Sequence, residues 1–283
     1  MLTQSLDAHA PQPAAESTSR APARRRLPVE ALWSSWQILA AQLLLLAALI
    51  AGWEIGARIG LIDPFFWSQP SSIAVTLVTF FRSGAALLDI GVTFEETICG
   101  FALGTSLGAL LGLSFWWSRN WARVLQPYII CFESIPKLAL APLVILIFGM
   151  GLASKIAIAT ALTLVVSTIT TYSGVRALDP DGERLFYSLG ASRWQVFRKF
   201  VVPSCIPWII SILRVNIGLA LTGAVVGEFI ASEHGLGRTI FYAGQTYEIA
   251  LVWVAVLVLA SLAVAMYWAV SQVEKWLGKG IER

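Results

Sequence analysis

Residues 178–203 read LDPDGERLFYSLGASRWQVFRKFVVP and are the longest charged interruption in the hydrophobic part of the chain. Arg176, Asp179, Asp181, Glu183, Arg184, Arg193, Arg198 and Lys199 lie in or beside the stretch. Such a density of ionisable groups is too costly to hold in hydrocarbon, so the segment sits in water. Asp179-Pro180-Asp181 has the form of a helix start, a capping carboxylate followed by proline in the first turn. Leu185, Phe186, Leu189, Trp194 and Phe197 follow at helical spacing, interrupted at Gly190. The pattern predicts a short amphipathic helix, a glycine turn and a second helix. Its apolar face needs a cover, either a partner surface or the bilayer interface and the chain's own spans.

Outward from this segment the composition turns apolar. Of 283 residues, 57% are hydrophobic and 13% charged, about half the usual charged share of a soluble domain. Several apolar runs approach 20 residues, which predicts an all-α polytopic membrane protein. The net charge of +3 is too small to point to nucleic acid. Cys99, Cys131 and Cys205 fall in or beside apolar runs and argue against a disulfide framework. His9 and His234 are too few for a metal cluster or a nucleophile–base pair. No G-x-x-x-x-G-K-[ST] occurs, so ATP chemistry would belong to another chain.

Six spans are expected, at about residues 38–59, 92–117, 124–148, 156–173, 204–230 and 249–270. Gly52, Gly56 and Gly60 give the first a smooth face, and residues 72–83 form a short amphipathic helix after it. In the second, Gly100, Gly104, Gly108 and Gly112 recur every fourth residue and invite close packing by another helix. Residues 118–123 read as a short basic loop. The third span carries Pro127, Pro136 and Pro142 together with Glu133 and Lys137. Breaks of this kind are tolerated at membrane depth where the backbone lines a cavity or is buried in protein. Residues 1–30, rich in Ala, Pro, Ser and Arg, read as a disordered tail. The domain order is then this tail, a first span with an outer segment through residue 90, a core over 91–272 containing the 176–203 loop, and a short tail over 273–283.

Orientation follows the bias of Lys and Arg. With the tail inside, the outside receives only Arg58, Arg82, Lys155 and Arg238, and Lys137 and Arg214 stay within spans. Both termini and the Gly190 loop are therefore expected in the cytoplasm. Glu133, Lys137, Arg214 and Glu228 fall inside apolar spans and should face the bundle interior or a subunit interface. Glu133 and Lys137, four residues apart, suit a same-face pair that Pro136 could disturb. Lys137 either gives a pathway a positive site for an anionic solute or is neutralised by Glu133 or Glu228. Glu228 either meets a partner or gate at the outer surface, or caps a helix or binds a neighbouring span.

The sequence resembles the permease subunits of bacterial ABC importers. Gly190-Ala191-Ser192-Arg193 with Pro203 thirteen residues after the glycine is similar to their coupling loop, though Arg184-Leu185-Phe186 replaces the family's Glu-Ala-Ala. SIPKLALAPLVILIFGMG, residues 134–151, is similar to the branch importing nitrate, sulfonates, taurine and related small anions, and Gly235-Leu236-Gly237 also matches. The resemblance implies the type I importer permease fold in the bacterial inner membrane, working as a homodimer. It implies an ATPase subunit docked on the loop bearing Arg184, Leu185, Phe186, Leu189, Gly190, Ala191, Arg193 and Pro203, and a periplasmic solute-binding protein. Glu133, Pro136, Lys137 and Glu228, the charges and the break inside apolar spans, are the candidate pathway residues. ATP would be held by the partner, leaving this chain without a cofactor or catalytic residues. A secondary transporter or channel without an ATPase is the alternative.

Overall fold

A computed structural model of the protein describes residues 34–279, so the expected tail over 1–30 lies outside the described residues, while residues 273–279 of the expected C-terminal tail are the last turns of a helix that begins at Ile249. Every regular element among those residues is helical. Among the described residues five helices are long and apolar enough to cross a membrane, and a pair bent by 81° passes the same test when taken together.

α1 (Ser35–Arg58) is apolar all round and begins the chain's membrane portion. Its first half, through Ala48, forms one unit, and the chain from Leu49 forms the other. In the second unit, α2 (Pro64–Trp67) and α3 (Pro70–Arg82) follow α1. Asp63 caps α2 by accepting the Phe65 N–H at 2.9 Å. α3 starts two residues earlier than the amphipathic pattern suggests because Pro70 supplies a preset first turn.

The core is a three-helix seam of α4 (Ala85–Ser114), α7 (Leu152–Arg176) and α10 (Val202–Ile230). The glycine register of α4 meets α7: Gly100 faces Ala159, Gly104 faces Thr163, Gly108 faces Ser167 and Gly112 faces Thr171. Lipid gives no hydrophobic drive between helices, so such backbone-to-backbone approach carries the association through dispersion and local hydrogen bonds. Asn216 on α10 adds a polar tie, donating to Thr105 Oγ1 at 2.8 Å and Ser167 Oγ at 2.6 Å. One side chain thus joins all three helices. α12 (Ile249–Lys279) closes the bundle, with α3 and α11 (Leu236–Gln245) packed on it through Ile73, Phe80, Leu236, Val254 and Val258.

Four sequence expectations are corrected or refined. Residues 118–123 are not a loop: the Ser118 hydroxyl accepts the Trp121 N–H at 3.2 Å and starts α5 (Arg119–Ser134). The third span is broken, as its prolines lead one to expect, and the break lies at Pro136. α5 ends at Ser134, a 3₁₀ turn covers Lys137–Leu140, and α6 (Ala141–Phe148) leaves at 81° to α5. Pro136 causes the break, because it forces Ile135 into an extended conformation (ψ 131°) and lacks the N–H the helix needs. Lys155, counted with the outer-side cations, is buried in the bundle, only 1% exposed. Its stem lies over Gly227 of α10, and its ammonium turns back to the Met150 and Gly151 carbonyls. Residues 231–248, expected as a loop, contain α11.

Candidate coupling surface and solute path

The charged segment folds as its caps dictate. Asp179 accepts the Asp181 N–H at 3.0 Å and opens α8 (Pro180–Ser188). Gly190, at φ +78°, makes the left-handed turn that ends it, a conformation a side chain would resist. Ser192 and Gln195 then form a reciprocal capping box that starts α9 (Arg193–Val196). A π-helical turn over Phe197–Val201 carries α9 into α10, with the Val202 N–H bonded to the Phe197 carbonyl. That widened turn absorbs the donor Pro203 lacks. The whole run from Arg193 to Ile230 is therefore one helical path of 38 residues.

The apolar stripe divides between two faces. Phe186 turns inward onto Phe200, ring centroids 5.5 Å apart, within a cluster built on Leu113, Val196, Val201 and Cys205. Leu185 and Leu189 turn outward, 59% and 77% exposed. Arg184 is also exposed and pairs with Asp181 at 3.0 Å. Ala191 packs at the edge of the inner cluster. Arg193 anchors the second helix: it donates to the Trp117 carbonyl and lies over the Trp116 and Trp117 rings at 5.5 and 5.2 Å. The segment is thus fixed to the end of α4 on one side and presents two leucines on the other.

The broken third span forms one wall of a cavity of about 400 Å³ against α7. Tyr128, Phe132 and Leu140 line it, and Lys137 is the one charged residue on its wall. The Lys137 ammonium donates to the Glu133 carbonyl at 3.1 Å, a backbone bond rather than the expected side-chain pair. Pro136, between them, turns the chain so that the two side chains no longer share a helical face. Glu133 is exposed on the α5 side.

Glu228 does not line this cavity. It is 1% exposed, accepts the Thr93 hydroxyl at 2.6 Å and the Gly237 N–H at 2.5 Å, and so caps α11 and ties it to α4. Asp89 completes the dock by accepting the Gly235 N–H at 3.0 Å and the Thr239 hydroxyl at 2.7 Å. Gly235, at φ +117°, has no room for a Cβ beside the Glu228 carboxyl. The sequence reading missed Asp89, Glu96 and Lys155 as buried groups. A signal was present: counting back by fours from Gly112 reaches Glu96, and Asp89 and Thr93 continue the same buried face. Arg214, also within a span, pairs with Glu274 of α12 at 2.5 Å.

Residues 104–279 match the family described as binding-protein-dependent transport system inner membrane component. The chain belongs to this family. The permease is 34% identical to the formylaminopyrimidine transport permease protein ThiX of Halalkalibacterium halodurans over 72% of its own length and 80% of that protein's. It is 27% identical to the taurine transport system permease protein TauC of Escherichia coli, covering 77% and 81%. Its fold is shared with a solved bacterial ABC transporter involved in the import of the acidic polysaccharide alginate, at a TM-score of 0.60 and 18% identity over 85% of this chain and 98% of that one. The permease is accordingly a multi-pass subunit of an ABC importer of the bacterial inner membrane, and the alternative of a transporter outside the ABC class is not favoured. Membership of the family implies an ATPase and a solute-binding protein as partners.

Proposed function

We propose that two copies of the permease form the path for a small anionic solute, with both termini and α8 in the cytoplasm. An ATPase subunit docks on α8 of each copy and holds the ATP, so the permease has no catalytic residue of its own. A periplasmic binding protein delivers solute at the opposite face, where α11 lies. ATP binding draws the ATPase subunits together, α8 and α9 move with them, and α10 levers the bundle from inward-open to outward-open. The observation that carries this reading is the outward pair Leu185 and Leu189 on a segment whose other face is locked to the end of α4.

Two apolar side chains so exposed gain stability only when covered. Burying a leucine is worth roughly 1.5–3 kcal/mol, so the pair offers about 2–4 kcal/mol to a partner after allowing for the area already hidden. Leu185→Asp/Leu189→Asp should weaken retention of the ATPase subunit on the purified permease by roughly 30-fold or more. Undiminished retention by a well-folded double variant refutes the docking surface. Phe186→Ala is the contrasting change, because Phe186 is packed within its own chain.

The solute reading rests on the cavity against the broken span. Its apolar walls suit a compact organic body and its single ammonium suits one negative group. The sulfonate of taurine, the solute that one relative's name gives, supplies such a negative group, while taurine's ammonium would need a partner beyond this wall. A substituted pyrimidine, transported by another, matches the aromatic walls but lacks the charge, which makes Lys137 the discriminating residue.

A further inference from the structure

A second cavity, of about 550 Å³, opens at the end of the bundle that carries α8. Arg119 and Arg123 reach it from α5, Arg176 from the end of α7 and Arg193 from α9, while Glu183 is the one carboxylate on its wall. Among the described residues Arg119, Arg123, Arg176 and Glu183 take part in no ion pair. Arg193 is held by the Trp117 carbonyl and the rings of Trp116 and Trp117. Three arginines from two helices, each open to solvent, thus line one cavity whose one carboxylate is Glu183.

We propose that this cavity binds a phosphate-class anion. Like charges brought together in a partly enclosed site repel one another, and the gathering becomes favourable when an anion enters. The planar guanidinium presents paired donors that match a tetrahedral oxyanion, and several such forks around one site give bidentate grip. A general inside-positive bias accounts for arginines near this end of the bundle, but not for their convergence on one cavity. Arg198 and Lys199, on the same segment, do not line it. Two sources supply this chemistry: the headgroup of an anionic phospholipid, and free phosphate. The site is separate from the Lys137 cavity and from the outward leucines of α8. Its walls join α5 and α7 to α8 and α9, so an occupant would tie the coupling segment to the broken span.

The test uses the full chain in detergent micelles, stripped of lipid, with phosphatidylglycerol or phosphatidylcholine added back and bound lipid counted by native mass spectrometry. Wild type should prefer phosphatidylglycerol. Arg119→Gln/Arg123→Gln/Arg176→Gln should lose that preference by at least about tenfold, while Arg198→Gln/Lys199→Gln, which removes charge outside the cavity, should keep it. A monodisperse elution profile qualifies each variant, and Arg123→Gln alone replaces the triple variant should that one aggregate. With no lipid preference, a rise in melting temperature with inorganic phosphate that the cavity variant lacks assigns the site to free anion. Equal lipid binding by wild type and cavity variant with no phosphate effect overturns the proposal, as does equal loss in cavity and control variants.

Discussion

Gly104 and Gly91 lie on the same helix, and the same substitution at each should have opposite effects. An alanine Cβ at Gly104 would stand 2.7 Å from the Thr160 carbonyl oxygen and in collision with Thr163 Oγ1. The carbonyl belongs to α7 backbone and cannot rotate away. The threonine hydroxyl is already engaged, donating within α7 toward the Ala159 carbonyl at 3.0 Å. α4 must therefore back off α7 by roughly 0.7 Å to restore ordinary contact. Overpacking of this sort costs about 1–3 kcal/mol, offset by about 1 kcal/mol from the better helix propensity of alanine. At Gly91 nothing lies within 4 Å of the added methyl, so only the propensity gain remains. The two variants should differ by about 1–3 kcal/mol, or about 6 °C in melting midpoint at the centre of that range for a chain of this size. Thermal scanning with size-exclusion detection in one detergent reads the difference directly. Equal midpoints for Gly104→Ala and Gly91→Ala would refute the claim that the glycine register is the closest seam of the bundle. Thr163→Ala on the Gly104→Ala background should recover only part of the loss, since the Thr160 carbonyl remains.

Glu228→Ala should free the start of α11, because the Gly237 N–H is left without a partner at a cost of about 1–3 kcal/mol. Faster proteolytic cleavage within residues 231–248, with the rest of the chain intact, is the expected result, and an unchanged cleavage rate counts against the dock. Arg214→Gln leaves the buried Glu274 carboxylate unpaired, so it should lower the melting temperature more than Arg214→Gln/Glu274→Gln does; the reverse order rejects the pair. Lys137→Met should abolish uptake while leaving assembly with the ATPase unchanged. Normal transport kinetics in that variant would remove Lys137 from the path.

What could be read from residue order was what local chemistry decides. The cap at Asp179, the turn at Gly190 and the four-residue glycine repeat each act within a few neighbours, and each lies where the pattern put it. The break at Pro136 was visible as composition, but the two half-helices and their angle depend on how the freed ends pack, which the pattern does not encode. Glu228 was recognised as a buried charge, yet its partners are Thr93, 135 residues away, and a backbone N–H in a segment expected to be loop. Lys155 is counted with the outer-side cations from the order of the spans alone, which says nothing of its burial. The space under Gly227 that receives its stem is a property of two helices together. The split of the coupling stripe into Phe186 inward and Leu185 and Leu189 outward lay within the helical period, but only the position of Phe200 settles which side is which.

The unbroken path from Arg193 to Ile230 spans about 57 Å at helical rise. Arg193, at its first turn, is seated on the end of α4, and Glu228, in its last turn, is the residue that seats α11. On the proposed arrangement, a twist imposed at the α9 end would reach α11 through one continuous helical path. The arrival of cargo and the firing of the motor would then be felt along the same backbone, with the π turn and Pro207 as the places where it could yield.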